Sequence, residues 1–494
     1  MQMTCEELFG QIGCTILGNP DEEITGLSYR SQDVKDGDAF FCIVGTNVDG
    51  HSFAQDAIDR GAKVLVVERK VYLADATDVT EIVVGDSRRA MAEAAHVFYG
   101  QPSHALDVVG ITGTNGKTTT TYITQHLLSA LGKPCGVVGT LGATFGSSAQ
   151  KTNNTTPESV DLAAILADMA SEGCKAAAIE VSSHALDLLR VWSMRFAVTA
   201  FTNLTQDHLD YHHTFEAYFE AKARLFTPTY PAKRVITIDD NWGLALAAMC
   251  RAAGDEVITC GFNDQADLHP AKIEYQAGQT NLDLYYRGKI YSCTYPLVGK
   301  FNVSNVLTAL GCVLSLGYEL PAALQALQTV EHVPGRLEHV SAQESNGISV
   351  YVDYAHTPDA LEKALGVVRE ITDGKVFVVF GCGGDRDASK RSIMGQVALK
   401  ADFAVVTSDN PRTEDPQAII DDILSGMEQA APGSYAVEPD RRSAIALAIA
   451  RAQAGDAILI AGKGHEDYQI IGTEKFPFDD RAVARQILEE SATA

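Results

Sequence analysis

The sequence predicts an α/β chain of three domains. A small N-terminal α/β domain covers 1–105, a central domain of phosphate-loop type with a parallel sheet covers 106–333, and a C-terminal Rossmann-like α/β domain covers 334–494. Three observations predict this. Short apolar runs alternate with amphipathic ones, the pattern of strands crossed over by helices. One apolar run leads straight into a glycine-rich loop and then a helix. Beyond residue 334, four apolar runs each break at once into a polar segment carrying glycine or proline.

In the first hundred residues the runs Phe40–Val44, Lys63–Val67 and Glu81–Val84 read as strands, with an amphipathic stretch at Phe53–Arg60. Val108–Thr112 reads as a buried strand. Thr119–Leu131 reads as a helix through Ile123, Leu127 and Leu131. Further strands are expected at Ala176–Val181, Phe196–Thr202 and Arg234–Ile238, and a helix at Gly299–Gly317. A break at Val333-Pro334-Gly335 opens the last domain, with strands expected at Ile348–Val352, Val376–Phe380, Phe403–Thr407 and Ala457–Ile460. The segments after them begin at Asp353, Gly381, Asp409 and Gly462. In open parallel sheets ligands bind at the carboxyl ends of strands, so these segments are candidate binding loops.

The chain has 494 residues, a formal net charge of -25, 46% hydrophobic and 21% charged residues. The acidic balance argues against a nucleic-acid binder, which grips phosphates with clustered Lys and Arg. Anionic small molecules stay open, because a metal or a local basic cluster can reverse the sign of one cleft. No stretch has the roughly 18 apolar residues of a spanning helix, and Met1–Gly13 lacks the pattern of a signal peptide. The ten cysteines form no C-x-x-C pair, as expected for a reducing cytoplasm.

The loop Gly113-Thr114-Asn115-Gly116-Lys117-Thr118-Thr119 carries the chemistry of a phosphate site. Its glycines let backbone N–H groups approach phosphate, and the helix N-terminus adds its dipole. Lys117 is expected at the β- and γ-phosphates, and the Thr118 hydroxyl at Mg²⁺. The common G-x-x-x-x-G-K-[ST] pattern would put glycine at 111, where this chain has Ile111. Glu180, at a strand end, is a natural Mg²⁺ ligand. His208 follows another strand of the same domain. Lys222, by spacing alone, reads as a solvated helical face.

Glu180-Val181-Ser182-Ser183-His184, Asp207–His212, Ala221-Lys222, Asn302, Pro334-Gly335-Arg336, Asp353–His356 and Gly462–Glu466, taken with the phosphate loop, resemble the Mur ligases of bacterial cell-wall synthesis. The resemblance is greatest to members that add the third residue of the peptidoglycan stem peptide, and it runs from about residue 25 to 490. It implies an enzyme that uses ATP and Mg²⁺ (two ions) to phosphorylate a carboxylate of UDP-N-acetylmuramoyl-L-alanyl-D-glutamate. An amino acid's amine then displaces the phosphate. It makes Lys117, Glu180, His208 and Lys222 the catalytic set. Lys222 is then carbamylated (N6-carboxylysine), and Thr118, Glu180, His208 and that carbamate are the metal ligands. Asn302, Arg336 and Asp353 match nucleotide-site positions. Ser31, Thr46, Asn47 and Val48 match contacts to the UDP part, and Asn154, Thr155, Thr156, Ser182 and Arg190 match contacts to the muramoyl peptide. Ser31 is followed by Gln32 where many relatives have Arg.

Asp409-Asn410-Pro411-Arg412 matches the family's signature for meso-diaminopimelate, with Arg386 as a second cation and Gly462 and Glu466 at the distal amino and carboxyl groups. Diaminopimelate differs from lysine by a distal carboxylate, which Arg can bind bidentately. The resemblance implies small-molecule partners only, no nucleic acid, no membrane insertion, and a monomer. Within enzymes, a lysine-adding relative or a folylpolyglutamate synthetase-like ligase stays open. A nucleotide-dependent switch and a phosphate-loop kinase are the other classes the loop alone would fit.

Overall fold

The computed structural model describes residues 2–45, 48–71, 79–276, 278–340 and 347–492. The chain divides into two compact units: 1–269 with 285–289 and 304–326, and 270–284 with 290–303 and 327–494.

The first unit holds two large sheets besides a two-stranded ladder of Met3–Thr4 with Glu23–Ile24. The N-terminal one has the order 14–17, 80–84, 64–67, 38–41, 26–28. Its strands are parallel except for Cys14–Leu17, which runs antiparallel to Thr80–Val84. Successive side chains point to opposite faces of a strand. Accordingly Phe41, Val64, Val66 and Ile82 join one buried cluster, and Phe40, Leu65 and Val67 another. Burial on both faces is why these strands read as unbroken apolar runs. The amphipathic stretch at 53–60 forms the helix Ala54–Asp59, entered through a 3₁₀ turn, Gly50–Phe53. Asp86 caps the helix Ser87–Phe98 by accepting from the N–H groups of Arg88 and Arg89.

In the second sheet of this unit, parallel strands lie in the order 135–139, 176–180, 107–112, 198–201, 233–237, 257–260. Asp107–Thr112 comes first in the chain yet sits between the third and fourth strands. Its carboxyl end is therefore a topological switch point, where open α/β sheets bind ligands. An antiparallel extension, Gly142–Phe145 and Ser148–Gln150, continues from Cys135–Gly139; strands of four and three residues are too short to give a periodic signal in the sequence. A strand meander, Leu268–Gln276, Gln279–Tyr286 and Lys289–Tyr295, follows in the chain.

The second unit carries a sheet in the order 338–340, 349–353, 457–461, 376–380, 403–406, 435–437, parallel except for Glu338–Val340. The four expected strands are present within a residue or two at their ends. Their carboxyl ends lie at one edge. An ion pair buried on both sides, Arg441–Asp480, braces this edge through two 2.7 Å bonds, and Arg441 Nη2 also donates to the Ala461 carbonyl at 3.0 Å. Removing one partner of such a pair costs about 3–5 kcal/mol, since the other charge stays buried.

Candidate functional site

Ile111 is still an extended strand residue, paired with Glu180 and Ala200, and is fully buried. The chain turns only at Gly113, with φ +148, so the loop is shorter than the common pattern and needs no glycine at 111. A Cβ at Gly113 would lie 1.9 Å from Thr202 Oγ1, and one at Gly116 2.3 Å from Asn305 Oδ1. Gly116, φ +86, is the N-cap of the helix Lys117–Ala130, which starts two residues before the periodicity indicated. The loop is tied to the next strand end. Thr114 N–H donates to the Asn203 carbonyl, Asn115 N–H to Asn203 Oδ1, and Thr202 Oγ1 to the Asn115 carbonyl.

Two lysines converge on one carbonyl. Lys117 Nζ donates to Gly113 O at 3.0 Å and to Thr114 O at 2.8 Å, and Lys222 Nζ donates to Gly113 O at 2.8 Å. Lys222 is 2% exposed, which corrects the solvated-face reading. The helix Phe215–Ala223 buries Tyr218, Phe219, Ala221 and Lys222 together. The Lys222 ammonium lies 4.4 Å from the Tyr218 ring centroid, and Tyr218 Oη bonds Thr114 Oγ1. Burial, with the Lys117 charge added, holds the Lys222 amine well below its usual pKa and favours its neutral form.

Glu180 is fully buried, and its carboxylate accepts from the Thr118 hydroxyl at 3.0 Å and from the Thr140 N–H and hydroxyl at 2.9 and 3.3 Å. A Cβ at Gly139 would lie 2.2 Å from Glu180 Oε1, so that glycine makes room for the carboxylate. These donors are all neutral. A buried carboxylate with neutral partners beside a phosphate loop suits a divalent cation. His208 sits at φ +52, its Nε2 3.4 Å from Asp207 Oδ2 and its ring 4.9 Å from that of His184. Among the described residues no three His, Cys, Asp or Glu side chains form a metal site. The expected set contains only two residues of those types, so it depends on Thr118 and a modified Lys222.

From Glu180 a chain of bonds leads toward the N-terminal sheet. Thr156 Oγ1 donates to the Glu180 carbonyl and accepts from Ser182 N–H. Arg190 donates to the Thr156 carbonyl and to Glu158, which Arg88 also approaches at 3.5 Å. Ser182 caps a short helix through Ala185 N–H, Thr155 bonds Thr140, and Asn154 is exposed. Ser31 opens a 3₁₀ turn and bonds Asp56; Val48 is exposed and accepts from Gly45 N–H. Thr46 and Asn47 lie outside the described residues. Thr119 is buried in the first turn of its helix.

In the second unit Asn302 is buried and donates to the Val298 carbonyl. Arg336 stacks over Tyr354, and Asp353 accepts from Leu337 N–H at 2.7 Å, with burial raising its carboxyl pKa. Along the same edge the loops after 376–380, 403–406 and 457–461 interlock. Gly384 N–H donates to Asn410 O, and Arg412 Nη1 donates to Gly384 O at 2.7 Å. Thr413 bonds Asp385, whose neighbour Arg386 is exposed. Pro411 is buried, and a Cβ at Gly384 would lie 1.9 Å from its carbonyl oxygen. Gly462, φ +115, leaves room for Asp409, whose Oδ2 would lie 2.5 Å from a Cβ there.

Arg412 has φ +53, and both its backbone groups are held by the hairpin of Tyr468–Ile471 and Glu474–Pro477. Its N–H donates to Ile470 O, and its carbonyl accepts from Gly472 N–H. Glu466 Oε2 accepts from Asn410 Nδ2 at 2.8 Å. Sequence reasoning missed Asn203 and Asn305, which shape the phosphate loop, Thr140, which bonds Glu180, and Lys463, which lies inside a motif already singled out. Thr140 could have been found as the residue after an apolar run, but Asn305 carried no such signal.

Comparison with known proteins bears on this arrangement. Residues 23–99 match the Mur ligase family catalytic domain, 111–313 the Mur ligase middle domain, and 335–464 the Mur ligase glutamate ligase domain. A UDP-N-acetylmuramoyl-L-alanyl-D-glutamate–2,6-diaminopimelate ligase of Gloeobacter violaceus is 46% identical over 490 residues, 99% of this chain and 98% of its own. A solved structure of a ligase of the same name is 32% identical, with a TM-score of 0.72 over 99% of both chains. MurF of Thermotoga maritima, solved with ADP, shares the fold at 20% identity and a TM-score of 0.62, over 94% of this chain and 96% of its own.

Proposed function

The chain belongs to the Mur ligase family, and on that footing we propose that it joins meso-2,6-diaminopimelate to UDP-N-acetylmuramoyl-L-alanyl-D-glutamate at the expense of ATP, a step of peptidoglycan precursor synthesis. Residues 1–105 take the UDP part, 106–333 the ATP and 334–494 the amino acid. The observation that carries the choice of amino acid is the pair Arg386 and Arg412, on strand-end loops bonded to each other through Gly384 and Asn410. Two guanidinium groups there match the distal carboxylate that separates diaminopimelate from lysine.

The reaction brings a carboxylate up to a triphosphate, so negative charge has to be offset and the atoms held in line. Lys117 exchanges its contacts with the Gly113 and Thr114 carbonyls for phosphate oxygens, while the N–H groups of Lys117–Thr119, at the helix N-terminus, cradle them. The carboxylate oxygen takes the γ-phosphoryl group and ADP leaves. The neutral amine of diaminopimelate then attacks the acyl carbon, and phosphate departs with the C–O bond pair. Thr118 and Glu180 would hold one Mg²⁺, and Glu180, His208 and a carbamate on Lys222 a second. Mg²⁺, when bound, offsets phosphate charge as a Lewis acid. The depressed pKa of Lys222 favours the neutral amine, the form that adds CO₂ and loses a proton to become the carbamate.

Among the described residues no helix is long and apolar enough to cross a membrane, and every cysteine is free. Free cysteines suit the reducing cytoplasm in which this reading places the enzyme, acting there as a monomer. The test is release of phosphate from ATP with the UDP-dipeptide and either amino acid, with the UDP-tripeptide identified by mass spectrometry. Diaminopimelate should be strongly preferred. Equal turnover with L-lysine, or a phosphorylated end product in place of free phosphate, would overturn the reading.

A further inference from the structure

We propose that Lys463 is a positioning residue of the amino-acid pocket. It fixes Glu466 and Asn410 in the orientation in which the free Glu466 oxygen meets the substrate's distal amino group. The inference rests on the reading of this pocket as the diaminopimelate site. Lys463 is fully buried. Its Nζ contacts Asn410 Oδ1 at 3.3 Å, Glu466 Oε2 at 3.3 Å and the Tyr468 carbonyl. An ammonium has three N–H donors, and here three acceptors take them. Lys463 therefore has no donor left for a ligand and acts through its neighbours.

What it acts on is equally constrained. Asn410 Oδ1 accepts from Lys463 and from Ile470 N–H at 2.8 Å, which settles the amide's orientation: Nδ2 must point to Glu466. Glu466 Oε2 accepts from both Asn410 and Lys463, leaving Oε1 without a partner among the described residues. Two donors on one oxygen fix the carboxylate plane and so aim the other oxygen. The same ammonium joins the Tyr468 carbonyl to the cluster, at the start of the hairpin that holds the Arg412 backbone. One buried charge thus links the carboxylate suited to an amino group with the segment suited to a carboxylate. A lysine in this place also offsets the Glu466 charge, which is 16% exposed.

The experiment uses the full-length enzyme and measures steady-state constants for each substrate separately. Lys463→Met should raise KM for meso-diaminopimelate by about 10-fold or more, the loss expected for a charge-assisted hydrogen bond. KM for ATP and for the UDP-dipeptide should stay within about twofold. On a Glu466→Gln background the same change should add little, because the two residues act as one unit. A purely structural role predicts instead a lower melting temperature and less active enzyme, with KM for diaminopimelate unchanged and full additivity with Glu466→Gln. That result overturns the proposal. If Lys463→Met does not fold, Lys463→Gln, which keeps a donor but not the charge, is read in the same way. Wild-type enzyme separates the two levels. If it does not need diaminopimelate, the pocket reading falls and this inference with it. If it does and the variant's KM is unmoved, only the inference falls.

Discussion

Replacing Arg412 with Met removes a guanidinium while keeping a long, flexible, apolar side chain. The backbone should tolerate the change. Arg412 lies at φ +53, but its N–H and carbonyl are both held by the 468–477 hairpin, and Met has the same left-handed penalty as Arg. In the protein alone the side chain donates one hydrogen bond, to Gly384 O at 2.7 Å. With diaminopimelate bound, the loss is one cation's grip on the distal carboxylate, because Arg386 remains. Hydrogen bonds to charged groups contribute about 1.5–3 kcal/mol. That corresponds to a roughly 10- to 150-fold fall in kcat/KM for meso-diaminopimelate. L-Lysine has no carboxylate at that end, so its kcat/KM should hold or rise as an unpaired charge is removed from the pocket. Phosphate release with each amino acid at saturating ATP and UDP-dipeptide gives both values. An equal fall for both amino acids would refute the reasoning, since Arg412 would then be supporting the loop and not reading the substrate. No fall for either would place the carboxylate elsewhere.

Lys222→Ala should be nearly inactive yet folded, and short carboxylates such as acetate or formate should restore part of its phosphate release by supplying the missing oxygen ligand; no rescue, with an unmodified Lys222 in a crystal structure of wild-type enzyme, would count against a carbamate. Gly113→Ala forces a Cβ to 1.9 Å from Thr202 Oγ1 at φ +148, so nucleotide binding by calorimetry should be abolished, with a stability loss of about 1–3 kcal/mol in urea unfolding; retained binding would show that the loop can open. Acid should destabilise the protein in part through His96, whose pKa burial pushes down to about 4 and whose Nε2 lies 2.6 Å from Ser103 Oγ. Ser103 Oγ accepts from Arg195 N–H, which leaves its own proton for a neutral imidazole. The unfolded histidine takes up a proton below pH ~6.5 while the folded one does not, so stability is lost as pH falls from ~6.5 toward 4. Between pH 7 and 4.5 this amounts to about 2–3 kcal/mol. In urea unfolding His96→Gln should lose that much less than wild type over the interval, and an identical pH dependence would contradict it.

The sequence by itself determined that the central and C-terminal domains are built on parallel sheets crossed over by helices. Strands buried on two faces, such as Val108–Thr112 and Val376–Phe380, are unbroken apolar runs whose ends are marked by glycine, aspartate or proline. It also determined where binding chemistry would sit, because crossover connections bring all the carboxyl ends of such strands to one edge. The phosphate loop was legible for the same reason: strand, loop and helix are contiguous in the chain. What only tertiary structure decided were contacts between residues far apart in sequence. Spacing could not show that Lys222 is buried, since that depends on the loop carbonyl of Gly113, more than a hundred positions away. Asn305 opposite Gly116, Thr140 on Glu180 and Lys463 on Asn410 are of the same kind. The antiparallel pieces at 142–150 and 468–477 were missed because strands of three or four residues are too short to show periodicity. A linear pattern records which face of an element is apolar, while a polar side chain's role is set by the partner that folding brings to it.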